Sequence, residues 1–363
     1  MKVLVAMSGG VDSSAAAALM VDEGHEVIGV TLKQWQGESG EMPTAGCCTV
    51  GDAEDARRVS AQLGIPYYVL DYMDEFRAAV VEPFGASYAA GLTPNPCVEC
   101  NRKVRFNALM GRAAELDCDV LVTGHHARVR RGPDGYKLLR AVDSAKDQSY
   151  VLHMLGQAEL AKLRFPVGEM TKAEVRRVAA QAGLRTAAKP DSQDLCFVGK
   201  GDYRDFLRRY FPDAARPGSV VDTSGEVLGE HQGTADFTVG QRRGLGVSLG
   251  ERRYVVDIRP SAATVVVGRE EDLLVDECRV GEVSFVAGHP PADTEVEVKV
   301  RYRSQPVPAR LERPFSDGEG EQPRELTVRF KGPQGAVAPG QALAFYRGEE
   351  VLGGGTILEA MRR

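Results

Sequence analysis

The 363-residue chain exceeds what one hydrophobic core usually organises, so two or three domains are expected. Its 43% hydrophobic and 26% charged residues suit a soluble globular enzyme, with no run of about 18 apolar residues to span a membrane. A net charge of −6 argues mildly against a nucleic-acid partner, because phosphate neutralisation dominates such affinity.

MKVLVAMSGG opens with a short apolar run followed by glycines. This predicts a buried first strand rather than a signal peptide, and a cytoplasmic protein. SAAAALMVDEG reads as a helix stopped by Gly24, HEVIGVTL as a second strand, GDAEDARRVSAQLG as an amphipathic helix and YYVLDY as a third strand. After the helical stretch NRKVRFNALMGRAAEL, CDVLVTGHH reads as a fourth strand. Helices alternating with strands that lack strict polar alternation predict a parallel sheet covered on both faces, the α/β class, over residues 1–205. TKAEVRRVAAQAGL is a further helix, with Thr171 and Glu174 in capping-box spacing. Residues 206–280 form a small linking domain of short, Gly- and Pro-rich elements, and the Gly-rich stretch 225–250 reads as mobile. Residues 281–363 read as an antiparallel β-barrel. In EVEVKVRYR, Val296, Val298, Val300 and Tyr302 alternate inward while Arg301 faces solvent. Residues 314–324 form a polar loop between strands.

AMSGGVDSSA joins the first strand to the first helix. Gly9 and Gly10 permit tight turns, the helix N-terminus offers unpaired N–H groups to an anion, and Ser8, Ser13 and Ser14 add hydroxyls. The string is neither a Walker loop nor a dinucleotide fingerprint. On glycines alone, a plain turn with Asp12 capping the helix is the lesser rival reading, and the complete string SGGVDSS is far more specific. TPNPCVECNRKVRF places Cys97 and Cys100 in CxxC spacing. A zinc clip, a redox pair, an iron–sulfur corner and a catalytic thiol all fit that spacing. Zinc would want a second ligand pair, for which only Cys47 and Cys48 offer themselves. Cys118 and Cys278 read as core fillers, and Cys196 reads equally as a loop thiol or a buried small side chain. Basic clusters (Arg102, Lys103 and Arg105; Arg128, Arg130 and Arg131; Arg242 and Arg243; Arg301 and Arg303) read singly as solvated faces.

SGGVDSS resembles the PP-loop of the ATP pyrophosphatases. With TPNPCVECNRKVRF, TGHHAR, KDQSYVL, DSQDLCF, GEHQGTADFTVGQRRGLG and PGQALAFYRGEEVLGGGTI in order, nearly the whole chain resembles the bacterial tRNA-specific 2-thiouridylases. The resemblance implies ATP with Mg²⁺, tRNA, and a protein that delivers sulfur. It implies a nucleotide site at Ala6, Met7, Ser8, Gly9, Gly10, Val11, Asp12 and Ser13, with Leu32 and Gly124 on the adenosine. It makes Cys196 the persulfide carrier and Cys100 the thiol that releases its sulfur. Arg102, Lys103 and a helix beginning after Cys100 would favour the thiolate. It places tRNA at Asn95, Pro96, Cys97, His125, Lys146, Asp147, Gln148, Arg301, Tyr302 and Gln341, where Asp147 and Gln148 could equally begin a helix. The family's common pattern has Asp at the position of Cys97. That departure keeps a rival open, a [4Fe–4S] cluster on Cys97, Cys100 and Cys196 with one iron left for sulfide. A small-molecule adenylating enzyme and a non-catalytic RNA-binding or sulfur-carrier protein are the alternatives of other classes.

Overall fold

The computed structural model describes residues 1–36, 50–191, 195–198, 202–214, 216–247, 250–312 and 323–361. Cys47, Cys48, the centre of DSQDLCF at 192–194 and most of the expected loop at 314–324 lie outside the described residues.

The first domain is built on a five-stranded, wholly parallel sheet. Its order is β3 (Tyr67–Asp71), β2 (Glu26–Lys33), β1 (Lys2–Ala6), β4 (Val120–Thr123) and the two-residue strand Leu163–Arg164. Parallel strands need long crossovers, and these bring helices onto both faces. Val3 and Val5 accordingly pack against Ala15 to Ala18 of the first helix, α1 (Val11–Asp22), while Leu4 packs with Leu109 and Leu121 on the other face. Coverage stops at the edge strand β3, where Tyr68 and Val69 are half exposed.

The chain builds outward from β1 to β3 and then returns to the other side of β1 to lay down β4. At that reversal the connections leave in opposite directions and open a crevice beyond the carboxyl ends of β1 and β4. β4 is shorter than the sequence suggests, so His125 and His126 sit just past its end, in the crevice wall.

A small sheet of four strands follows, Tyr254–Arg259, Thr264–Gly268, Gly218–Asp222 and Val227–His231, with one parallel pair. The Gly-rich stretch at 225–250 contributes its last strand. The C-terminal unit is a six-stranded antiparallel barrel in which Val275–Phe285 closes the ring against Glu350–Met361. Val296 and Val298 face its core as the alternation predicts. The expected continuation to Tyr302 does not form. The strand ends at Lys299, and Arg301 to Ser304 make a turn closed by the Ser304 amide donating to the Arg301 carbonyl at 3.1 Å. The chain must reverse there to reach the neighbouring strand Val307–Glu312, so the period of two lapses and Tyr302 stays 39% exposed.

One connection ties barrel and sheet together. The hairpin Ala127–Gly132/Gly135–Arg140 leaves the first domain directly after the β4 loop. It extends the barrel sheet by pairing Leu138 and Leu139 with Val351 and Glu350. Among the described residues no helix is long and apolar enough to cross a membrane.

Candidate active site

The glycine loop turns between β1 and α1. Gly9 has φ of 69°, a left-handed conformation that disfavours side chains, and a Cβ there would lie 2.1 Å from the Asp52 carbonyl oxygen. Gly10 occupies the N-cap and offers no side chain, so the first-turn N–H groups of α1 keep their capacity for an anion. Ser13 Oγ accepts from the Ser8 amide at 3.1 Å and Ser14 Oγ donates to the Gly10 carbonyl at 2.8 Å, which stiffens the turn.

Asp12 does not cap this helix. It lies one residue inside the helix, and its carboxylate reaches across the crevice to Lys172 Nζ, 2.7 Å from each oxygen, and to His126 Nε2 at 3.0 Å. Burial pushes the Asp12 carboxyl up, but hydrogen bonds from His126 and Lys172 outweigh it and hold it below the usual carboxylate range. Lys172 also meets Asp191 at 2.9 Å, and Asp191 binds Lys146 and Arg176 at 2.8 Å each. Partial burial raises the Asp191 carboxyl, and Lys146 and Lys172 more than reverse this, bringing it down to about 2. Lys189 donates to the Gly9 carbonyl at 2.9 Å and pairs with Asp52 and Asp55 at 2.6 and 2.8 Å. Nothing in the sequence singles out Lys172 or Lys189, and Asp191 shows only as the first residue of DSQDLCF. Only the fold brings residues 172 and 189–191 to the glycine loop.

Across the crevice, Gly124 brings the end of β4 against α1. A Cβ there would stand 2.6 Å from the Ser13 amide nitrogen. His125 is buried, with Nδ1 2.7 Å from Thr123 Oγ1 and the ring between Phe106 and Phe165. Asp147 is also buried. It accepts from the Ala141 and Ser149 amides and from Ser149 Oγ, and so it organises the turn ahead of the helical segment Ser149–Leu152.

The CxxC string lies in a helix that begins earlier than expected. Pro96 opens it and Asn95 Oδ1 caps it by accepting from the Val98 amide at 3.2 Å, while Cys100–Arg105 continues as a π-helical turn. Cys100 is therefore inside a helix, not ahead of one. It is 4% exposed, and Gln34 Nε2 donates to its sulfur at 3.3 Å. Cys97, one turn earlier, is exposed. The cations expected beside Cys100 face elsewhere. Arg102 pairs with Glu282 at 2.9 Å and Lys103 with Glu99 at 2.8 Å. Arg105 lines the cavity instead, bonded to Asn101 at 2.9 Å and 3.4 Å from His125 Nε2. Lys103 and Arg105 are two positions apart, so at about 100° per residue their side chains leave the helix on opposite sides.

Cys196 is half-buried on the cavity wall. The core position belongs to its neighbour Phe197, packed edge-on against Phe76, Phe84 and Phe206. Cys278 is fully buried in the barrel, and burial pushes its thiol up to about 12, whereas Cys118 packs half-buried against the first core. Cys97, Cys100 and Cys196 do not come together as a ligand set. Among the described residues no three His, Cys, Asp or Glu side chains gather to hold a metal ion, so the cluster reading finds no site there, while the second pair of the zinc reading, Cys47 and Cys48, lies outside them.

These pieces face one cavity of about 860 Å³. The glycine loop lines it at Ala6, Met7, Ser8, Gly10, Val11, Asp12 and Ser13, with Leu32, Gly124 and His125 beside them. Pro96, Cys97, Cys100, Lys146, Asp147, Gln148 and Cys196 form its middle, and Tyr302 enters from the barrel. Gly9 lies behind the wall. Asn95 and Gln341 do not line the cavity but bond to each other at 3.1 Å, and Arg301 is solvent-exposed away from it.

A parallel sheet with a glycine loop at its reversal point, thiols on the wall and a barrel closing one side define an ATP-binding α/β protein of the PP-loop class with a cysteine-bearing site. Family models match along the whole chain: a "tRNA methyl transferase HUP domain" over 1–200, a "tRNA methyl transferase PRC-barrel domain" over 204–269 and an "Aminomethyltransferase beta-barrel domain" over 275–357. The tRNA-specific 2-thiouridylase of Roseiflexus castenholzii is 48% identical over 98% of this chain and 99% of its own. That of Chloroflexus aurantiacus is 50% identical over 98% of each chain, and that of Geobacter metallireducens 46% identical over 99% of this chain and 97% of its own. The chain belongs to the tRNA-specific 2-thiouridylase family.

Proposed function

We propose that the protein adenylates the C2 oxygen of the wobble uridine of tRNA with ATP and replaces that oxygen by sulfur carried on cysteine, releasing pyrophosphate and AMP. One observation carries this reading: the nucleotide loop, Cys100, Cys196 and a barrel wall line the same cavity. The family-model descriptions speak of methyl transfer and the relatives' names of thiolation; three cysteines on the cavity wall, Cys97, Cys100 and Cys196, favour sulfur.

A uracil oxygen is a poor leaving group. When it attacks the α-phosphorus of ATP, pyrophosphate departs and the C2–O bond becomes that of a phosphate ester. Charge on the phosphates is met by the first-turn N–H groups of α1 and by Lys172 and Lys189 on the same wall. A Mg²⁺ ion entering with the triphosphate would be held by Asp12 and would supply further charge neutralisation.

A sulfur-donor protein loads Cys196 as a persulfide. Its terminal sulfur attacks C2, the C2–O bond breaks, and AMP leaves with the electron pair. The Cys100 thiolate then attacks Cys196 Sγ and breaks the S–S bond, leaving sulfur on C2 and a Cys100–Cys196 disulfide for an external thiol to reduce. Cys97, Lys146, Gln148 and Tyr302 meet the RNA within the cavity, with Tyr302 offering a ring to a splayed base. Asn95 and Gln341, bonded to each other, hold the base-facing turn at Pro96. His125, Asp147 and Arg301 complete the RNA side, the first two by shaping it from behind.

The test is incubation with ATP, a sulfur-donor protein carrying a persulfide, an external thiol and undermodified tRNA, with assays for 2-thiouridine and AMP. Both products are expected in equal amounts, and Cys196→Ser should abolish 2-thiouridine while ATP still binds. Thiolation surviving Cys196→Ser refutes the assignment of the sulfur carrier, and absence of any ATP-dependent product refutes the function.

A further inference from the structure

Apart from Arg105, bonded to Asn101, and the exposed Arg303, the lysines and arginines lining the cavity fall into two groups. Lys146, Lys172 and Lys189, near the nucleotide loop, are each neutralised by aspartates at 2.9 Å or less. Arg140 and Lys299 come instead from the barrel side, Arg140 ending the hairpin strand Gly135–Arg140 that pairs with the barrel and Lys299 ending the barrel strand Glu295–Lys299. Among the described residues neither makes an ion pair with a carboxylate. The Arg140 guanidinium lies 4.2 Å over the Tyr346 ring, and its Nε and Nη2 are buried without hydrogen-bond partners. Lys299 Nζ stands 5.9 Å from the ring centres of Tyr150 and Tyr302. The nearby acid, Asp147, spends its oxygens on two backbone amides and Ser149. Burial and, secondarily, the charge of Arg140 hold the Lys299 ammonium below the usual lysine value, although Asp147 acts in the opposite sense. In a chain with 51 acidic and 45 basic residues, two adjacent cations left without an acid in a cavity wall call for an anion from outside.

We infer that Arg140 and Lys299 together grip one backbone phosphate of the tRNA next to the nucleotide whose base enters the cavity. This rests on the proposed tRNA reaction. The barrel-side position, beside Tyr302 rather than the glycine loop, assigns the pair to RNA instead of the triphosphate. The aromatic rings fix both side chains before binding, so little rotamer freedom is lost when the phosphate arrives.

The experiment measures tRNA affinity against salt concentration, and the KM for ATP, in the wild type and in Lys299→Gln, Arg140→Gln, Arg140→Lys and the Lys299→Gln/Arg140→Gln double variant. If the two share one phosphate, the slope of log affinity against log salt falls by about one for the double variant, less than additively from the singles. Arg140→Lys keeps the wild-type slope, and the ATP KM does not move. An unchanged slope in the double variant, a slope loss of about two, or a rise in ATP KM in place of the tRNA effect each overturns the inference. Wild-type protein that fails to bind tRNA overturns the functional reading as well. Should Arg140→Gln not fold, Lys299→Gln decides alone: a wild-type slope in that folded variant refutes the pair.

Discussion

Gly124→Ala probes how closely the end of β4 must approach the nucleotide loop. The added Cβ would meet the Ser13 nitrogen at 2.6 Å, the Asp12 carbonyl carbon at 2.7 Å and Ser13 Cα at 2.9 Å. All three are backbone atoms, so no side chain can swing aside. Gly124 is not among the glycines with positive φ, which makes the cost one of contact and not of conformation. Ordinary contact begins near 3.4 Å, so β4 and α1 must part by roughly 0.8 Å. Overpacking of this kind costs about 1–3 kcal/mol, or roughly 2–12 °C of melting temperature for a domain of this size. The same displacement moves the Ser13 amide relative to a bound phosphate, and errors of about 1 Å at a reacting centre cost up to roughly 100-fold. Thermal melting and ATP-dependent AMP formation give the two readouts. Gly111→Ala is the control, since nothing lies within 4 Å of its Cβ in the helix Phe106–Glu115, and it should gain up to about 1 kcal/mol. A Gly124→Ala protein that melts with the wild type and keeps its ATP KM would show that the contact does not constrain the site.

Asp191→Asn removes the carboxylate shared by Lys146, Lys172 and Arg176. Its folded value of about 2 lies below the ordinary 3.8, so its contribution is present above about pH 4 and is lost as pH falls toward 2. Discounted for solvent screening of a side chain that is 21% exposed, the loss at pH 7 should be about 1 kcal/mol. Urea midpoints should show that gap narrowing from pH 4 to pH 2, and a gap independent of pH would contradict the ion-pair account. Cys97→Ser should retain thiolation in iron-free protein purified without oxygen, because Cys97 is exposed and joins no ligand set. Loss of activity together with bound iron would restore the cluster.

What the linear chain determined by itself follows from local physics. Apolar runs ending at glycines gave the parallel strands, SGGVDSS marked the anion loop, and the alternation of Val296 with Val298 marked the barrel. Adjacent residues govern each of these features, so one sequence displays them. The tertiary structure alone decided which charges meet. Lys103 and Arg105 are indistinguishable in a string, yet helix rotation sends one to Glu99 and the other to the cavity. Asp12 looks like a cap until Lys172, 160 positions away, reaches its carboxylate. Likewise the Tyr302 alternation held only until the chain had to turn toward its next partner strand. Electrostatic and steric partners depend on distance through space, which the sheet order and the hairpin seam set, and no short window of sequence contains that order.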